Sequence, residues 1–120
     1  PALRRGAVVL CDRYYYSTAA YQGAAGGVGS RRVLELAERT ARFERPDLVL
    51  LLDLPPAEAR RRAGDRRDRV ESKGAAYQER VRRGFLALAR REPRRFRVID
   101  ASRPAVEVFE EARKAVARVV

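Results

Sequence analysis

Residues 46–56 read Pro-Asp-Leu-Val-Leu-Leu-Leu-Asp-Leu-Pro-Pro, and this stretch decides the fold class. Its apolar run from Leu48 to Leu54, interrupted only by Asp53, is that of a strand covered on both faces, since a strand with one wet face alternates. Pro46 stops the preceding helix, and Pro55 and Pro56 end pairing and open the next one, where a first-turn proline loses nothing by lacking an N–H. A strand set between helices implies parallel neighbours with helices on the faces of the sheet.

Outward from this stretch the pattern repeats. Toward the amino terminus, Leu3 to Arg5 read as a helix end with Gly6 as its left-handed stop, and Ala7 to Cys11 as a short buried strand. Ser17 to Gln22 begin a helix, and Ser30 caps another over 31–44 whose inward stripe is Val33, Leu34, Ala37, Ala41 and Phe43. Toward the carboxyl terminus, a helix over 57–63 breaks at Gly64, and one over 73–91 carries Tyr77, Val81, Phe85 and Leu88 at helical spacing. Phe96 to Asp100 form a third strand with Val98 and Ile99 inside. Ser102 and Pro104 then start a last helix with Val106, Phe109, Ala112, Val116 and Val120 facing inward. The expected architecture is α/β, a parallel sheet with helices on both faces, in a single domain over 1–120.

Composition narrows the function. With 120 residues, 46% of them apolar, the chain suffices for one packed core, and its apolar runs are too short to span a bilayer. The single Cys11 ends an apolar run and reads as a buried thiol of a reducing cytoplasm, with no histidine to activate it. The net charge of +11 invites a nucleic-acid reading. However, the cations are nearly all arginine, with Lys73 and Lys114 the exceptions, and they spread over most helical stretches of an alanine-rich chain. The dense cluster from Arg60 to Arg69 calls for a separate account. A chain without methionine that begins Pro1-Ala2-Leu3 is expected to be a fragment or a processed product.

The chemically able side chains concentrate in residues 11–23, C-D-R-Y-Y-Y-S-T-A-A-Y-Q-G. Asp12 and Arg13 stand at the carboxyl edge of the expected first strand, where a parallel sheet presents charged groups to a ligand, though an ion pair finishing the strand would read the same way. Ser17, Thr18, Tyr21 and Gln22 share one helix face, which serves a ligand or water equally well. Among Tyr14, Tyr15 and Tyr16 at least one packs in the core with its hydroxyl satisfied. Asp53 either meets a ligand or caps its strand. The loop Gly23 to Ser30 is glycine-rich but lacks a Lys-Ser/Thr ending and does not follow a strand, which argues against a phosphate-cradling loop.

Taken together, D-R-Y followed by S-T-A-A-Y-Q-G, then P-D-L-V-L-L-L-D-L-P-P, D-R-V-E and V-I-D-A, closely resemble thymidylate kinases, collinearly over nearly the whole chain. The resemblance implies a P-loop nucleoside monophosphate kinase fold, incomplete at the N-terminus, in a cytoplasmic enzyme that phosphorylates dTMP to dTDP with ATP and Mg2+. It implies that Arg13 holds the dTMP phosphate with Asp12 beside the metal, that Ser17 and Thr18 run along the nucleotide, and that Tyr21 tests the sugar for a 2′-hydroxyl while Gln22 meets the thymine edge. Residues 62–72 would be the LID that closes over ATP. Arg62, Arg66 and Arg69 would be catalytic there, with Asp68 and Glu71 as orienting or metal-side carboxylates, and Ala101, Ser102 and Arg103 would border the adenine. The family's phosphate-binding loop lies upstream of these residues, and its strand would run between Ala7–Cys11 and Leu48–Leu54. The isolated chain is therefore expected to be inactive, and the intact protein to be a homodimer that avoids membranes and nucleic acid. The alternatives are a basic nucleic-acid-binding module, or a non-catalytic kinase remnant that folds with a partner chain.

Overall fold

The computed structural model describes residues 2–40, 44–64 and 74–120. Arg66, Asp68, Arg69, Glu71, Ala41 and Phe43 lie outside the described residues. Two strands, β1 (Val49–Asp53) and β2 (Phe96–Asp100), pair in parallel from Val49 opposite Phe96 to Asp53 opposite Asp100. The connection between them carries α3 (Pro56–Ala63) and α4 (Ala75–Arg91), as parallel pairing requires a long crossover. Pro56 opens α3 as the sequence predicts, and Gly64 follows its last residue.

Near the amino terminus a 3₁₀ turn, Leu3–Arg5, ends at Gly6, whose φ of 75° is the left-handed stop expected of it. Helix α1 (Tyr15–Thr18) runs directly into a π-helical segment, Ala19–Ala25, and α2 (Ser30–Thr40) follows after a short loop. The core lies where the α1–π segment packs on α4 and β2: Tyr16, Ala19, Ala20, Ala25, Val81, Leu88, Ala89 and Phe96 form one buried cluster. Tyr16 is the core tyrosine the sequence calls for, its ring edge-on to Phe96 at 4.9 Å and its hydroxyl donating to Glu92 Oε2 at 2.7 Å. Burial, then hydrogen bonds to Tyr15 and Glu92, push that hydroxyl well above its usual pKa, so it stays a donor.

The approach of α4 to the π segment depends on Gly84. A Cβ there would lie 2.6 Å from the Ala24 Cβ, closer than carbon atoms tolerate. Gly84→Val is expected to lower unfolding stability by about 2–3 kcal/mol through overpacking, read as a shifted denaturant midpoint at unchanged slope.

Five expectations need correction. Strand β1 is not covered on both faces: none of Val49–Asp53 is fully buried and Leu52 is 54% exposed. Ala7 to Cys11 do not form a strand: Val8, Val9 and Leu10 are exposed, Leu10 at 94%, and so is Cys11. A strand needs a neighbour for its N–H and C=O groups, and among the described residues β1 pairs only with β2. In β2, Ile99 is fully buried but Val98 is 40% exposed, because cover on its face stops short after Phe96. In α5 (Ala105–Val116) the turned-in residues are Val108, Ala112 and Ala115, while Val106 and Phe109 are 68% and 63% exposed and Val116 and Val120 are also exposed. Glu111 lies on the turned-in side, where it binds Arg97 on β2 at 2.5 Å and also Arg103. Finally, Ser30 does not cap α2 through its hydroxyl, which instead donates to the Ala19 carbonyl at 2.9 Å.

Candidate functional site

The Asp12–Arg13 turn delivers the chain into α1 with an unusual backbone. Arg13 has φ of 67°, a left-handed conformation that non-glycine residues rarely hold without surrounding support. That support comes from its neighbours: the Cys11 thiol donates to the Arg13 carbonyl at 3.2 Å, and Arg13 Nε reaches Ser17 Oγ at 3.5 Å. The guanidinium then lies over the Tyr21 ring, 4.8 Å from its centroid, a cation–π contact. Arg13, Ser17 and Tyr21 are thus brought together along one side of the α1–π segment. Asp12, Thr18 and Gln22 are exposed beside them. An exposed arginine whose approach is fixed by backbone and ring is suited to an oxyanion, which its planar fork meets at two atoms.

The π segment sets where Tyr21 and Gln22 stand. Its widened turn bonds each N–H to a carbonyl five residues back, and such segments concentrate at functional positions. Its sequence is Ala-Ala-Tyr-Gln-Gly-Ala-Ala, and the small residues let neighbours in closely: a Cβ on Gly23 would lie 2.6 Å from the Ser30 Cα. The Tyr77 hydroxyl of α4 donates to the Tyr21 carbonyl at 3.3 Å, and the Tyr21 ring meets Phe85 edge-on at 6.1 Å.

A cleft of about 220 Å³ opens beside Tyr21, walled by the end of β1, by Pro56, Ala59 and Ala63 of α3, and by Val81 and Phe85 of α4. Inside it Asp53 accepts two hydrogen bonds from Arg82, Nε at 2.7 Å and Nη2 at 2.9 Å. Asp53 therefore ties the carboxyl end of β1 to α4, and its hydrogen bond holds the Arg82 pKa above the ordinary arginine value. Composition conceals this pair: Arg82 stands in a run of helix-surface arginines, and only its register, one residue past the buried Val81, distinguishes it.

On the far side of α3 a second group assembles. Arg62 donates Nη1 to the Ala101 carbonyl at 2.9 Å and Nη2 to the Ser102 carbonyl at 3.1 Å, with Nε on Glu58 at 2.9 Å. Arg62 and the 101–102 turn, far apart in sequence, are thus in direct contact. The turn is itself fixed by Asp100, which accepts from the Ser102 N–H at 2.9 Å and hydroxyl at 2.6 Å. Those bonds hold the Asp100 carboxyl below its usual range. Arg103 donates to the Asp100 carbonyl at 3.3 Å and pairs with Glu111.

Hydrogen bonds from Arg61, then Arg62, bring Glu58 down from 4.5 to about 2. A carboxyl whose pKa falls on folding contributes stability that is complete above its unfolded value and disappears as pH drops through its folded one. Glu58 is accordingly expected to titrate near 2 by NMR, and Arg61→Ala to move its midpoint up toward 4.5.

Other arginines pair with a carboxylate one helical turn away. Arg31 with Glu35, Arg83 with Glu79 and Arg113 with Glu110 are pairs within one helix, so these arginines do not pool into a basic face. Among the described residues no three acidic, histidine or cysteine side chains gather as a metal centre, and no helix is long and apolar enough to cross a membrane. Exposed Asp12 is a single carboxylate beside the Arg13 turn, which fits a magnesium ion held mainly by phosphates and water.

The profile of the family described as Thymidylate kinase matches residues 1–112. The chain is 43% identical to a thymidylate kinase of Symbiobacterium thermophilum, over 100% of this chain and 56% of that protein. Against those of Clavibacter michiganensis and Alcanivorax borkumensis the identities are 51% and 43%, covering 90% and 100% of this chain and 53% and 57% of theirs. The chain thus spans about half the length of the curated relatives it matches.

Proposed function

The chain belongs to the thymidylate kinase family, and from that premise we propose that it supplies the acceptor side and part of the donor side of an enzyme that transfers the γ-phosphoryl group of ATP to dTMP, giving dTDP and ADP. The observation that carries this reading is the Arg13–Tyr21 contact. One exposed guanidinium is held at the mouth of a segment whose aromatic ring, amide and hydroxyls suit a nucleoside monophosphate. Arg13 binds the acceptor phosphate in two-point fashion, Tyr21 stands at the sugar, and Ser17, Thr18 and Gln22 line the nucleoside. Arg62 and the 101–103 turn form the adenine side, with Arg66 and Arg69 as the cations that approach the transferring group.

Magnesium, when bound, neutralises charge between the phosphates; Asp12 is the described residue that would lie beside it or its waters, with Glu71 as a further candidate. Phosphoryl transfer asks mainly for such positioning and charge compensation, so a closing set of arginines is chemically sufficient once the donor is anchored.

The anchor is a glycine-rich loop whose amides cradle the ATP phosphates, and residues 1–120 contain no glycine-rich run ending in Lys-Ser/Thr. Among the described residues β1 pairs only with β2 and Ala7–Cys11 form no strand, which agrees with a sheet that takes up a further strand. A coupled ADP-release assay tests both halves of the reading. The full-length protein is expected to turn over only with dTMP present, and the 120-residue chain alone to show no turnover. Turnover at ordinary kinase rates by the isolated chain would refute the division of labour, and ADP release indifferent to dTMP would refute the substrate.

A further inference from the structure

Two carbonyls of the α1–π segment receive hydroxyl donors from outside it: Ala19 from Ser30 Oγ at 2.9 Å and Tyr21 from Tyr77 Oη at 3.3 Å. The donors come from different elements, the first residue of α2 and the first turn of α4, and grip the segment on either side of Ala20. A π turn is intrinsically less stable than an α turn, so a seven-residue run persists only where its surroundings favour it. Here small residues admit the neighbours, with Ser30 against Gly23 and Gly84 against Ala24, and the two hydroxyls bond to the carbonyls. The consequence falls on Tyr21, whose ring is also bounded by Arg13 and Phe85.

We infer that Ser30 and Tyr77 are positioning residues that hold the π register and thereby set how tightly, and how selectively, Tyr21 and Gln22 meet the acceptor nucleoside. Neither hydroxyl touches the acceptor: each acts through the backbone that carries the contact residues. A relaxation of Ala19–Ala25 toward α-helical winding rotates Tyr21 away from Arg13, which weakens acceptor binding and blurs the distinction between a 2′-deoxy sugar and a ribose while leaving the ATP side unchanged. This rests on the function proposed above.

The test uses Ser30→Ala and Tyr77→Phe in the full-length protein, each of which removes one hydroxyl and little else. Loss of one hydrogen bond is expected to raise the KM for dTMP about tenfold in Ser30→Ala, with kcat within about twofold and the KM for ATP unchanged. The preference for dTMP over ribothymidine 5′-monophosphate should fall by about the same factor, with Tyr77→Phe moving both quantities in the same direction by less. A merely structural role predicts a lower melting temperature with KM and preference unmoved, and that result overturns the inference. An inactive wild-type protein would instead overturn the function on which the inference rests, and the inference with it.

Discussion

Arg13→Ala is expected to lower kcat/KM for dTMP by about 10²–10³-fold in the full-length protein, since a charge-assisted two-point contact to a phosphate contributes roughly 3–4 kcal/mol. The loss should appear mostly in the KM for dTMP, with the KM for ATP little changed. Arg13→Lys should recover only part of it, because an ammonium presents a point charge rather than a fork, and a four-carbon stem does not lie flat on the Tyr21 ring. Steady-state kinetics with each substrate varied in turn checks both statements. A variant as active as the wild type would remove Arg13 from the acceptor site.

The second large effect concerns stability. Arg82→Ala strands the Asp53 carboxylate, about four-fifths withdrawn from solvent, at the end of β1 with its two hydrogen bonds gone. The cost is expected to be about 2–3 kcal/mol, below that of a fully buried pair because both side chains keep some contact with water. Asp53→Asn should cost less, since it leaves an acceptor for one guanidinium N–H and the charge it strands, that of Arg82, is the more exposed of the two. Chemical denaturation of the full-length protein reads both, and equal losses would show that the pair holds no more than two neutral groups would. Because Asp53 and Arg82 also line the cleft beside Tyr21, Arg82→Ala should weaken dTMP binding in step with stability.

Much of the fold was legible because local chemistry and tertiary context agree there. Pro46, Pro55 and Pro56 bracket β1, Gly64 ends α3, and Tyr77, Val81, Phe85 and Leu88 lie on the core-facing side of α4, as helical spacing requires. Candidate site residues can be named from the sequence, but their geometry cannot. Nothing in Ala-Ala-Tyr-Gln-Gly-Ala-Ala distinguishes a π turn from an α turn, because the difference is enforced by Ser30 and Tyr77, which stand outside the segment. The left-handed Arg13 was equally hidden, since glycine is the residue that announces such a backbone.

The misread stretches share one cause. Ala7 to Cys11 have a strand's composition and α5 has an apolar stripe, but composition reports what a segment can bury, not whether a partner is at hand. In α5 the sheet-facing side carries the ion pairs of Glu111 with Arg97 and Arg103, which a hydropathy pattern does not register.

The most direct test of the acceptor site is a crystal structure of the full-length protein with dTMP bound. The dTMP phosphate is expected within hydrogen-bonding distance of the Arg13 guanidinium, with the sugar against Tyr21 and the base edge at Gln22. A phosphate bound elsewhere, with Arg13 still lying on the Tyr21 ring, would contradict the account.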